Sequence, residues 1–127
     1  MSSTVERFKN RKNFSKVVDV AFPTKEKPEI VFQIKRPSDM ELRGVDLRAM
    51  SGAKDFSYSE LMLTIIKRHI EGWTEIDLEY TKEVAQEYLD SLKAIEVMIL
   101  SNRYREALQE DEHACVGKST GEDLEKP

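Results

Sequence analysis

The chain has 127 residues, 39% of them hydrophobic and 35% charged, with a formal net charge of −4. That length fits one domain with a single core. No run of about 18 apolar residues is present and no apolar stretch follows the basic start, which argues against a membrane span or signal peptide, and a lone Cys115 leaves no intrachain disulfide or Cys-rich zinc framework. A cytosolic protein is expected.

Residues 1–16, MSSTVERFKNRKNFSK, carry Arg7, Lys9, Arg11, Lys12 and Lys16 against Glu6, with Phe8 and Phe14 among them. No period holds there. The stretch reads as a flexible basic arm with one or two anchoring phenylalanines; the rival reading, a nucleic-acid contact, sits poorly with an acidic protein. Val18, Val20 and Phe22, then Ile30, Phe32 and Ile34, alternate with their neighbours at the period-2 spacing of half-buried strands. Pro23 and Pro28 bound the polar loop PTKEKP between them, so an antiparallel hairpin is expected, its apolar face covered by later helices.

Pro37 ends the second strand, because it disfavours helical backbone at Arg36, and Ser38 with Glu41 has capping-box spacing. A helix should start at Asp39. Met40, Leu42, Val45, Leu47 and Met50 give it a ragged apolar face, and Gly44 leaves two readings open: a broken helix, or another backbone packed close. The stretch SGAKDF over 51–56 reads as a turn, and Ser57 with Glu60 repeats the box. Leu61, Met62, Ile65, Ile66 and Ile70 then form a helical stripe, with Lys67 and Arg68 suited to its C-terminal end and Gly72 just past that end. His69 reads as a C-terminal charge or a packed side chain. Trp73 and Ile76 seal the core in the bland reading; in the functional one Trp73 anchors a partner.

Asp77 caps a last helix expected over 78–108. Leu78, Ala85, Leu92 and Ile99 repeat every seven residues with Thr81, Tyr88 and Ile95 interleaved, one seam along the length. Such a helix spans about 46 Å at 1.5 Å per residue, more than the domain needs. The surplus near Val97, Met98, Leu100, Tyr104 and Leu108 is therefore the place to expect a second chain, including another copy of this one. Residues 109–127 hold six acids against Lys118 and Lys126 and read as an acidic disordered tail. The ends of the chain thus oppose each other in sign. The fold expected is α+β and mostly helical, an N-terminal β-hairpin packed on three helices with the last one long, over 17–108.

Catalytic motifs are missing: no Gly-rich phosphate loop, GxSxG, HExxH or paired CxxC occurs. His113 and Cys115 stand two apart without further ligands nearby, and Glu79, Glu83, Glu87 and Asp90 read as a solvated helix face. An enzyme is not expected, and no catalytic, cofactor or metal residue is assigned.

The stretch IKRPSDMELRG resembles the phage tail assembly chaperones of the Mu-like and P2-like type, in which a hairpin strand ends in a basic-x-Pro element, a polar-Asp step follows and an Arg-Gly pair closes the motif. Its carriers here are Arg36, Pro37, Asp39, Arg43 and Gly44. A second similarity lies at Ile76 and Asp77, an Ile/Leu-Asp step that starts a long helix, and the likeness covers roughly 17–100. Relatives of that type often end soon after the helix, whereas this chain continues and carries a basic arm in front. The resemblance implies a non-enzymatic protein of the host cytoplasm that binds the tape measure protein, keeps its hydrophobic helices soluble and supports tail tube assembly. On that reading amphipathic segments enter a helix-in-groove site around Trp73, Tyr88, Leu92, Ile95, Met98 and Ile99. The alternatives are a structural phage particle component, such as a connector or baseplate adaptor, and a small nucleic-acid-binding regulator using the basic arm.

Overall fold

The computed structural model describes residues 5, 6, 9, 11–52, 54 and 57–119; Arg7, Phe8, positions 53, 55 and 56 of the expected turn, and residues 120–127 of the expected tail lie outside them. A 3-10 turn at Arg11–Asn13 leads into β1 (Val17–Phe22) and β2 (Ile30–Lys35), followed by α1 (Asp39–Ser51), α2 (Tyr58–His69), β3 (Ile70–Thr74), α3 (Lys82–Asp90) and α4 (Ala94–Ser119). The architecture is α+β and mostly helical.

The alternation in the two N-terminal strands sets their register. Val18 pairs with Ile34, Val20 with Phe32 and Phe22 with Ile30, and all six side chains are buried. A one-residue slip would turn all six to the opposite face. At roughly 1.5–3 kcal/mol for each fully buried side chain of this kind, that face is a main source of stability. β2 ends where Pro37 has no N–H to offer, and Ser38 caps α1. The Ser38 hydroxyl accepts from the Glu41 N–H at 3.1 Å, while the Glu41 carboxylate accepts from the Ser38 N–H at 3.0 Å. Gly52 closes α1 in the left-handed region at φ 73°, where a side chain would be strained.

α1 is unbroken through Gly44, and apart from its chain neighbours and the adjoining backbone of α1 itself no described atom lies within 4 Å of where a Cβ at Gly44 would stand. Among the described residues neither sequence explanation for that glycine is seen. α2 starts at its expected cap, Ser57, and buries Met62, Leu63, Ile65 and Ile66. It is the central helix, touching α1, α3, α4 and β2, while α4 lies along β1.

Three expectations are corrected. The hairpin is a three-stranded antiparallel sheet in the order β1-β2-β3: the stretch read as a helix end and connection is a strand, pairing Phe32 with Trp73 and Ile34 with Ile70. Its alternation is hidden by an irregularity beside Gln33 and Ile34 that leaves Glu71 outside the one-to-one register. The helix expected over 78–108 is two helices. Thr81 is the first cap, its hydroxyl accepting from the Val84 N–H at 3.0 Å, and the helix stops at Ser91, whose hydroxyl donates to the Tyr88 carbonyl. Lys93 then opens α4, its N–H donating to the Glu96 carboxylate and its carbonyl accepting from Val97. Leu89 before the turn and Val97 after it are both buried. Finally, α4 continues to Ser119, so 109–119 is helix and not disordered tail.

Candidate partner-binding surface

α4 has two unlike sides. Val97, Ser101, Tyr104, Leu108 and Cys115 are buried at alternating spacings of three, four and seven, the stripe of a helix laid on a core. Val97, Leu100, Tyr104 and Leu108, expected to meet another chain, therefore belong to this chain's own interior. Tyr104 is fully buried, its hydroxyl donating to the Lys35 carbonyl at 2.7 Å, and burial first, with Glu41 second, raises its phenol pKa. On the opposite side, Ile95 is 59% and Met98 50% exposed, with Leu92 and Ile99 half-buried beside the core.

The other two expected contact residues lie elsewhere. Trp73 is buried, its ring edge-on to Phe32 at 6.4 Å, Tyr80 at 5.2 Å and Tyr88 at 5.6 Å, and its indole N–H donates to the Leu78 carbonyl at 2.8 Å. A satisfied indole inside an aromatic cluster is a core residue. Tyr88 is half-buried in the same cluster, its hydroxyl pKa raised by burial and then by Glu96 and Glu29. Of the six residues, Ile95 and Met98 are thus the exposed apolar ones, while Leu92 and Ile99 are half-buried against the core.

The RPSD joint is electrostatic as well as architectural. The Arg36 guanidinium donates to the Ser15 carbonyl at 2.9 Å, to Asp111 at 2.6 Å and to Glu112 at 3.0 Å, and lies over the Phe14 ring, 5.0 Å from its centre. Ser15 adds its own N–H and hydroxyl to Asp111. Burial acts to raise the Asp111 carboxyl, but Ser15 and Arg36 outweigh it and its pKa is lowered. Arg11 pairs with Asp39, and the Cys115 thiol donates to the Asn13 carbonyl. Residues 11–16 are therefore bound to α1 and α4, which corrects the flexible arm over that part. The acids of α4 are held here by Arg36 and Ser15, while Arg11 of the N-terminal stretch pairs with Asp39 in α1.

A second node joins α1 to α2. Glu41 accepts from Arg68 at 2.6 Å and lies 3.0 Å from the His69 ring nitrogen, beside its bond to Ser38. Burial works to raise this carboxyl, yet the Ser38 N–H, His69 and Arg68 together hold it down to about 2. Sequence reasoning missed a further surface on α1. Its apolar residues, taken as one ragged face, divide between two: Val45 is buried and Leu42 packs against the core, while Met40 is 71%, Leu47 57% and Met50 81% exposed. The signal was legible, since at 100° per residue Met40 and Leu47 fall within about 20° of each other and well over 100° from Val45.

Little supports chemistry elsewhere. An open depression of about 710 Å³ between the 23–26 turn and α4 is lined by charged groups that pair with one another, Lys25 with Glu110 and Arg103 with Glu106. Among the described residues no group of three or more His, Cys, Asp or Glu is placed to hold a metal ion, and no helix is long and apolar enough to cross a membrane. Compared with protein-family models, curated proteins and solved structures, the chain matches none of them.

Proposed function

We propose that this protein is a non-enzymatic phage tail assembly chaperone of the host cytoplasm, which holds amphipathic helical segments of the tape measure protein and so supports tail tube assembly. The observation that carries the reading is the open apolar surface of Ile95 and Met98 on the side of α4 turned away from the core. Surface of this kind on a rigid helix suits an incoming apolar helix face, and methionine adapts to varied partners. The Arg36-Pro37-Ser38-Asp39 joint, on which the family resemblance rests, positions α1 and α4 about the sheet. Of the basic arm on which the nucleic-acid alternative rests, Arg11 is engaged by Asp39. The test is co-expression with helical segments of the tape measure protein. Ile95→Glu with Met98→Glu should abolish co-purification while shifting stability by no more than about 0.5 kcal/mol, as for surface substitutions. Undiminished co-purification, or presence of the protein in finished particles, would overturn the proposal; the second result would favour the virion component.

A further inference from the structure

We propose that the surface of Ile95 and Met98 takes a basic amphipathic helix, whose apolar side lies on those two residues and whose lysine or arginine side chains reach the outward acids of α3. The inference rests on Ile95 and Met98 being a docking surface and adds the chemistry of what docks. Glu83, Glu87 and Asp90 are all exposed. At 100° per residue they fall within about 60° of one another, on average about 150° from the buried Ala85 and Leu89. Asp90 is held by Lys67 at 2.5 Å. Glu83 and Glu87 have no partner among the described residues, in contrast to Asp39, Asp46, Asp111 and Glu112, each of which holds an arginine.

The local charge selects the occupant. Residues 75–96 hold seven acids against Lys82 and Lys93, a balance of −5 in a chain whose net charge is −4. Like charges gathered in one stretch repel an acidic segment and favour a cationic one. The acids and the apolar residues also lie within reach of a single helix. From Glu87 three residues of α3 lead to Asp90, and five more lead to Ile95. That path is at most about 22 Å, the length of a helix of about 15 residues. The first turn of α4 stays beside α3, since Glu96 acts on the Tyr88 hydroxyl, second to burial, in raising its pKa. An apolar stripe seated on Ile95 and Met98 can then carry basic residues to Glu83 and Glu87 along the same helix, and the methylene stems of lysine or arginine extend the apolar contact. An acidic helix would meet the same apolar residues but set like charges against each other.

Binding of two synthetic peptides to the full chain, followed by fluorescence anisotropy, tests this. Both carry the same leucine stripe in a helix of about 18 residues; one has lysine at its polar positions and the other glutamate. The lysine peptide should bind more tightly by about tenfold or more at low salt, and lose that advantage at high salt. Glu83→Gln with Glu87→Gln should cut its affinity about fivefold while the protein stays folded. Asp19→Asn with Glu26→Gln, which removes the same charge from β1 and the loop after it, should leave the affinity within about twofold. Ile95→Ser with Met98→Ser should abolish binding. Equal affinity for the two peptides, an equal loss from Asp19→Asn with Glu26→Gln, or binding that survives Ile95→Ser with Met98→Ser would each overturn the proposal. Its failure is distinct from that of the chaperone reading. Tape measure segments that co-purify undiminished with the Glu83→Gln, Glu87→Gln protein would sink the charge argument alone; a lysine peptide that binds as expected where tape measure segments fail to co-purify would sink the chaperone reading alone.

Discussion

Replacing Glu41 by glutamine separates the two tasks of one side chain. The amide keeps an oxygen that accepts from the Ser38 N–H, so the cap survives, but it gives up the charge facing Arg68 and His69. The native carboxyl titrates at about 2 against an ordinary 4.5; at 1.36 kcal/mol per pKa unit the ceiling is about 3 kcal/mol, and with 21% of the side chain open to water screening brings this to about 1.5 kcal/mol. The direction follows from the depressed value. The stabilisation is fully present above about pH 4.5, where the unfolded chain also carries the charge, and is lost as pH falls from there toward 2. Urea titrations of both proteins should therefore show Glu41→Gln less stable by about 1.5 kcal/mol at pH 7, equivalent to about 5 °C in melting temperature, with the gap falling below half its size by pH 3. A gap of equal size at both pH values would refute the charge argument, leaving Glu41 as a cap and a packing group only.

Two further outcomes test the remaining structural claims. Arg36→Met should cost about 2–4 kcal/mol, because Asp111 and Glu112 lose a partly buried partner, and hydrogen exchange should accelerate together in residues 11–16 and in the last turns of α4; a cost under about 0.5 kcal/mol, or acceleration at one end alone, would contradict the clamp. Leu108→Ala should cost about 2–4 kcal/mol in denaturant titration, as for other buried leucines, whereas a residue meeting only another chain would leave the monomer unaffected.

Local signals placed much of this fold. Period-2 alternation located β1 and β2 and their buried face, and Pro37 with the Ser38 and Glu41 box located the start of α1, because each of these depends on a few adjacent residues. β3 escaped notice because the five residues IEGWT contain a glycine and a register irregularity, and they are a strand only because β2 offers them an edge. The division between α3 and α4 was equally hidden. A heptad count through Leu78, Ala85, Leu92 and Ile99 is satisfied by either one helix or two; which stripe faces inward depends on where the sheet stands.

The candidate surface divides in the same way. Ile95 and Met98 could be singled out as apolar helix positions, but their exposure, like the burial of Tyr104, follows from the direction in which α4 leaves the Ser91 turn, and the burial of Trp73 from the pairing of β3 with β2. Sequence alone determined the secondary elements that rest on neighbouring residues, the Ser38 and Ser57 caps but not the Asp77 one, and the opposite charge of the two ends. Tertiary structure decided which apolar stripes are interior and which are open. It also joined Ser15 and Arg36 to Asp111 and Glu112, because burial and long-range ion pairing depend on residues some 75 to 96 positions apart, and no local pattern records that they meet.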